Sequence, residues 1–216
     1  MNEQQQSLQE LHHIKQMMER SSRFISLSGL SGISAGLLAL LGTWFAVNKI
    51  SIYAHDKSLD YETLVTELII IAVCILVAAF VAAFIFTYLR SKKNGISIWG
   101  ATTNRLLINL AIPLIAGAFF VLRLLQMNHI FLIAPTCLLF YGLALINASK
   151  YTLGEIRYLG YLQILIGIIN CWWIGYGLYF WAAGFGVLHI FMVFTCGRNT
   201  KEDWQIQIDK QKNIIE

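Results

Sequence analysis

The sequence predicts an all-α polytopic membrane protein: six transmembrane helices arranged in three hairpins, with a short cytosolic helix at each terminus. Three observations lead there. Of 216 residues, 57% are hydrophobic and only 13% charged, far below the roughly 25% charged in a soluble domain. The apolar residues come in blocks of about 20, the length that crosses a bilayer core, rather than in the stripes of a soluble helix or the alternation of a membrane β-barrel. When six spans are drawn, all 16 Lys and Arg except Lys49, Lys57 and Arg123 fall on one side. Basic residues beside spans stay cytoplasmic, so both termini are expected inside. The same flanking positions, next to anionic headgroups, account for the net charge of +4 without any nucleic acid.

Residues 1–22 read as a cytosolic amphipathic helix, because Leu8, Leu11, Ile14 and Met18 share one face. The six-helix bundle is expected over 23–197, with spans near 24–47, 67–89, 106–125, 130–147, 158–174 and 177–196. The first apolar run is too long for a signal peptide and has no small-x-small cleavage site, so it is expected to be retained. Its Ser28, Gly32, Ala35, Ala39, Gly42 and Ala46 recur at three- and four-residue steps and form a stripe of small residues. Membrane helices associate through such close backbone approach, and Ala78, Ala79, Ala82 and Ala83 of the second span offer the matching surface. The intervening loop, "NKISIYAHDKSLDYETLVT", carries His55, Asp56, Asp60 and Glu62. These could hold a divalent cation; a solvated polar loop is the plainer reading.

The middle hairpin contains both prolines. Pro113 removes the amide that would bond the Asn109 carbonyl, and Pro135 does the same to Phe131. Two interrupted ladders mark either plain kinks or a hinged polar cavity, which Asn109, Thr136 and Tyr141 would line. Arg23, Arg105 and Arg157 each open an odd-numbered span, as the charge rule requires. Trp44, Trp172, Trp173 and Trp181 gather at the opposite ends, where amphipathic rings anchor helices at the interface. Cys74, Cys137, Cys171 and Cys196 are distributed over four spans with no C-x-x-C spacing, so they read as small packing residues rather than a zinc or redox motif.

In the third hairpin Gly160, Gln163, Gly167 and Asn170 share one helical face, and Ala182, Gly186, His189 and Val193 share another. With a turn between residues 175 and 176, Gln163 and His189 reach the same depth. The glycines would bring the two backbones together and leave the amide and the imidazole facing each other. That placement predicts either an interhelical hydrogen bond or a ligand-binding histidine, since ionisable groups within a membrane are costly. The tail 198–216 reads as a cytosolic helix capped at Asn199 or Thr200, with Trp204, Ile208 and Ile215 on one face for headgroups or a cytosolic partner.

The runs "SSRFISLSGLSGISAG" and "GYGLYFWAAGFGVLHI" resemble segments of a family of small six-span membrane proteins from Bacteroidota that carry no assigned activity. The resemblance implies a bacterial inner membrane and supplies no catalytic residue, cofactor or substrate.

No Asp, Glu, Lys or Arg lies in the middle of any span, which argues against a charge-coupled transporter. P-loop, nucleophile-elbow, zinc-protease and dinucleotide motifs are absent from the sequence. The expectation is therefore a non-enzymatic inner-membrane protein without catalytic residues, metal or cofactor. It would be a binding or regulatory protein, holding a lipid-like or small neutral ligand, or a partner helix, through His189, Gln163, Asn170, Asn109, Thr136 and Tyr141. The competing expectation is a small transporter or channel for an uncharged solute working through the proline-containing hairpin, with a membrane enzyme third.

Overall fold

Long uninterrupted apolar runs leave the backbone no partner but itself, and helices satisfy it within one segment. The computed structural model describes residues 29–56, 60–93, 99–152 and 154–193, and every regular element within them is helical. The expected terminal helices over 1–22 and 198–216, with Ser28 and Cys196, lie outside the described residues. Helix α1 is Gly29–His55, α2 is Tyr61–Lys93 and α3 is Ala101–Gln126. Helix α4, Ile133–Ala148, is flanked by 3-10 turns at Ile130–Leu132 and Ser149–Tyr151. Helix α5 is Glu155–Trp172. Helix α6 follows a 3-10 turn and runs over 177–193, with a π-turn at Ala182–Val187.

Among the described residues five segments are long and apolar enough to cross a membrane: Leu30–His55, Tyr61–Lys93, Ala101–Gln126, Ile130–Tyr151 and Ile174–Val193. Helix α5 falls below them in hydropathy because it carries Glu155, Arg157, Gln163 and Asn170. Its two amides turn inward, where both are fully buried. The outside is the reverse of a soluble surface, with Ile70, Phe84, Ile112 and Phe119 all exposed.

Helix α4 is the centre of the bundle, with α3, α5 and α6 all packed on it; its Leu138 and Ala144 are completely buried. The tightest crossing is between α4 and α5. A Cβ built on Gly142 would lie 2.8 Å from the Gly160 carbonyl oxygen, and one on Gly160 would lie 2.8 Å from that of Gly142. Only hydrogen fits at both positions.

Helix α6 joins this group to α1, and α2 packs on α1 from the far side. The expected packing of α1 on α2 is present, but the small-residue stripe is shared with α6. Gly32 meets the Val193 side chain and Gly36 approaches Ile190 and the Gly186 carbonyl, both on α6, whereas Gly42 meets Ile75 on α2. Because α1 lies between two neighbours, its stripe divides: the first turns serve α6 and the later ones α2. The glycines of the third hairpin are likewise redirected. Gly160 and Gly167 face α4, at Ile146 and Leu139, while Gly186 faces Leu40 on α1.

The two prolines are not equivalent. Pro113 is buried inside the continuous helix α3, but Pro135 is the third residue of α4, behind a 3-10 turn. An amide in a first turn has no intrahelical acceptor in any case. Pro135 therefore starts a helix rather than interrupting one. Of the tryptophans, Trp44, Trp172 and Trp173 are exposed as anchors should be. Trp181 instead packs its ring on Phe185, with centroids 4.6 Å apart.

At the end of the first hairpin Lys49 Nζ lies 3.0 Å from Glu67 Oε2, with both side chains more than 40% exposed. A pair this open to solvent contributes little to stability. His55 Nδ1 is 2.8 Å from the Ser51 carbonyl oxygen, on its own helix. Among the described residues no three His, Cys, Asp or Glu side chains cluster to hold a metal ion. Cys74, Cys137 and Cys171 are free thiols.

Candidate functional site

The site grows from the π-turn of α6. In an α-helix the Leu188 N–H would bond the Gly184 carbonyl; here it bonds the Ala183 carbonyl, one residue further back. That leaves the Gly184 carbonyl to side chains, and two of them take it. Gln163 Nε2 donates to it at 2.9 Å from α5, and His189 Nδ1 donates at 3.1 Å from the same helix. The absence of a side chain on Gly184 makes this approach feasible, because a Cβ there would collide with Leu138 and stand 2.7 Å from Gln163 Oε1.

The shared acceptor also sets the histidine's tautomer. A carbonyl can only accept, so neutral His189 carries its proton on Nδ1, and Nε2 accepts from the Tyr141 hydroxyl on α4 at 2.8 Å. Both ring nitrogens are thereby satisfied, and His189 is 7% exposed. Phe185 packs beside the pair, 5.1 Å from Tyr141 and 6.2 Å from His189 between ring centroids. The network ties α4, α5 and α6 together and contains no nucleophile or free base. Its arrangement is that of a brace.

Gln163 and His189 thus meet as their depth predicts, though not with each other: both converge on one backbone oxygen. Tyr141, read from sequence as part of a cavity in the middle hairpin, is the true partner of the imidazole. No helical wheel reveals this, because Gly184 and His189 are five residues apart, a spacing that faces only across a π-turn. The other two residues assigned to that cavity lie apart from the network. Asn109 Nδ2 donates to the Arg105 carbonyl of its own helix at 2.8 Å, and Thr136 is buried near the start of α4.

Asn170 differs from all of these. It is 0% exposed, and neither its Oδ1 nor its Nδ2 has a hydrogen-bond partner; Gln163 Oε1 is in the same condition. One helical turn beyond Asn170, where α5 bends into α6, a cleft of about 450 Å³ opens between Trp173, Tyr176, Tyr179, Phe180 and Ala183. Comparison with known families, curated proteins and solved structures finds no match. The site must therefore be read from its own chemistry. The cleft is shallow and largely open to the surroundings, and its walls are aromatic and apolar.

Proposed function

We propose that this chain is a six-span inner-membrane protein, with both termini cytosolic, that binds a lipid-like or small neutral ligand at its last hairpin and performs no covalent catalysis. The observation that carries this reading is the aromatic cleft of Trp173, Tyr176, Tyr179, Phe180 and Ala183. Its rings suit an apolar body with a polar tip, and their position at the end of the hairpin corresponds to the headgroup region. Counting α5 as a span is supported by its length, since 18 residues rise about 27 Å against a core of about 30 Å. Five spans would put the termini on opposite sides and undo the asymmetry of the basic residues. The bacterial inner membrane rests on the family resemblance of the first span and last hairpin.

The transporter reading loses support from three placements. Pro135 begins a helix, Asn109 bonds its own backbone, and the centre of the bundle is filled by Leu138, Ala144 and Leu159.

Two measurements test the proposal. Reporter fusions after residues 95 and 216 should report cytoplasm and one near residue 57 the outside; a C-terminus outside would exclude six spans. Protein purified in mild detergent should retain a lipid-like species enriched over bulk lipid, and Trp173→Ala with Tyr179→Ala should lose it while remaining folded. If wild type and variant carry the same lipids in the same proportions, the cleft is not a binding site.

A further inference from the structure

We propose that the cleft of the last hairpin receives the methylated ammonium of a zwitterionic phospholipid headgroup, held against the rings of Trp173, Tyr176, Tyr179 and Phe180. This inference rests on the reading of the cleft as a binding site and names the ligand class. Its basis is the electrostatic character of the lining. Four of the five lining residues are aromatic and none is charged, so the main fixed field in the cleft is the negative face that each ring carries. A cation within about 6 Å of a ring centroid is attracted to that face, most strongly on tryptophan. The rings of Tyr176 and Tyr179 have centroids 6.0 Å apart and planes tilted by 50°. Tilted in this way, neither ring is stacked over the other. Trp173, Tyr176 and Tyr179 are each more than half exposed.

The lining also selects among ions. A metal ion needs several oxygen ligands, and a primary ammonium is compact and strongly hydrated; no carboxylate lines the cleft to replace that water. A quaternary ammonium holds its water weakly, spreads its charge over methyl groups that pack on apolar walls, and is the cation that aromatic surfaces recognise best. Its charge still needs a counter-ion. A zwitterionic headgroup brings one in its own phosphate, and the polar side-chain atoms of the lining suit that phosphate. They are the Trp173 indole N–H and the Tyr176 and Tyr179 hydroxyls, all able to donate to phosphate oxygen. A purely anionic headgroup finds no basic side chain there. The openness of the cleft fits this occupant as well. In the six-span arrangement the turn between α5 and α6 lies at headgroup level, so the head can enter sideways while its acyl chains stay in the bilayer.

The test is native mass spectrometry of the purified protein in a maltoside detergent, with four probes that share the same oleoyl chains. They are phosphatidylcholine, its 3,3-dimethylbutyl isostere with carbon in place of the charged nitrogen, phosphatidylethanolamine and diacylglycerol. Phosphatidylcholine should bind about tenfold tighter than the isostere, equivalent to about 1.4 kcal/mol and within reach of two exposed cation–π contacts. Phosphatidylethanolamine should fall between these two, and diacylglycerol well below phosphatidylcholine. Tyr176→Leu with Tyr179→Leu should abolish the preference over the isostere, whereas Tyr176→Phe with Tyr179→Phe, which keeps the rings, should retain it. Equal binding of phosphatidylcholine and isostere by wild type would overturn the ammonium assignment yet leave the cleft as a lipid site. An unchanged preference in the leucine variant, or its loss in the phenylalanine variant, would equally remove the ammonium from the rings. Tighter binding of phosphatidylethanolamine than of phosphatidylcholine would replace ring recognition by N–H hydrogen bonding, and diacylglycerol binding as tightly as phosphatidylcholine would reject the headgroup. Absence of every adduct would overturn this inference and the reading of the cleft together. The wild-type comparison holds whatever the variants do.

Discussion

Leucine at position 142 is expected to produce the largest loss of stability of any single change in the central bundle. A Cβ at this position already meets the Gly160 carbonyl oxygen at 2.8 Å and Ile164 Cγ1 at 2.7 Å. The isoleucine could rotate away, but the carbonyl belongs to a helix whose neighbours hold it in place. Overpacking of an ordinary core costs roughly 1–3 kcal/mol, and a contact that must move backbone should reach or exceed the top of that range. Gly142→Ala should show a smaller loss in the same direction. The control is Gly154→Ala, where a Cβ meets nothing within 4 Å and the backbone already has helical angles, φ −60° and ψ −29°. That change should be neutral or stabilising by about 0.4–1 kcal/mol through the unfolded chain. Melting temperatures in one detergent compare the three, and equal values for Gly142→Leu and Gly154→Ala would mean that α4 and α5 do not cross here.

The second large effect is expected at His189, and its pattern across double variants is more informative than its size. His189→Leu leaves the Tyr141 hydroxyl without its acceptor, at a cost of roughly 1–3 kcal/mol for a stranded buried group. Adding Tyr141→Phe removes the stranded group, so the double variant should be no less stable than His189→Leu alone. Gln163 should behave oppositely. Gln163→Leu alone should be nearly neutral, because the Gly184 carbonyl keeps His189 and the unmet Oε1 disappears. Combining it with His189→Leu takes both side-chain donors from that carbonyl, and the loss should exceed the sum of the two single losses. Additive behaviour in both pairs would show that Gln163 and His189 do not share the Gly184 oxygen and that Tyr141 does not bond the imidazole. The intact interhelical bonds themselves contribute only about 0.6 kcal/mol each on average in membrane proteins. Coupling, rather than absolute destabilisation, is therefore the quantity to measure.

These expectations divide at the point where local chemistry stops and packing begins. Membrane-length apolar blocks determine helices by themselves, because a backbone in hydrocarbon has no other way to satisfy its amides. The order of α1 to α6, the inward face of α5 and the common depth of Gln163 and His189 were legible from spacing, whereas α1 and α2 run through most of the expected outer loop, to His55 and from Tyr61. Which helix lies against which was not legible. In lipid every apolar face is equally well solvated, so periodicity shows that a face is small or polar without naming its neighbour. The stripe of α1 was readable as an interface, but its division between α6 and α2 follows from α1 lying between them. Gly160 was readable as a close-approach residue, but only the crossing with Gly142 assigns it to α4 rather than α6. The amino-acid sequence likewise placed a histidine within a span, and the π-turn at Ala182–Val187 gave it its partners. That turn shifts one backbone hydrogen bond and brings residues five apart onto a common carbonyl, a change of register that no helical wheel at 3.6 residues per turn contains.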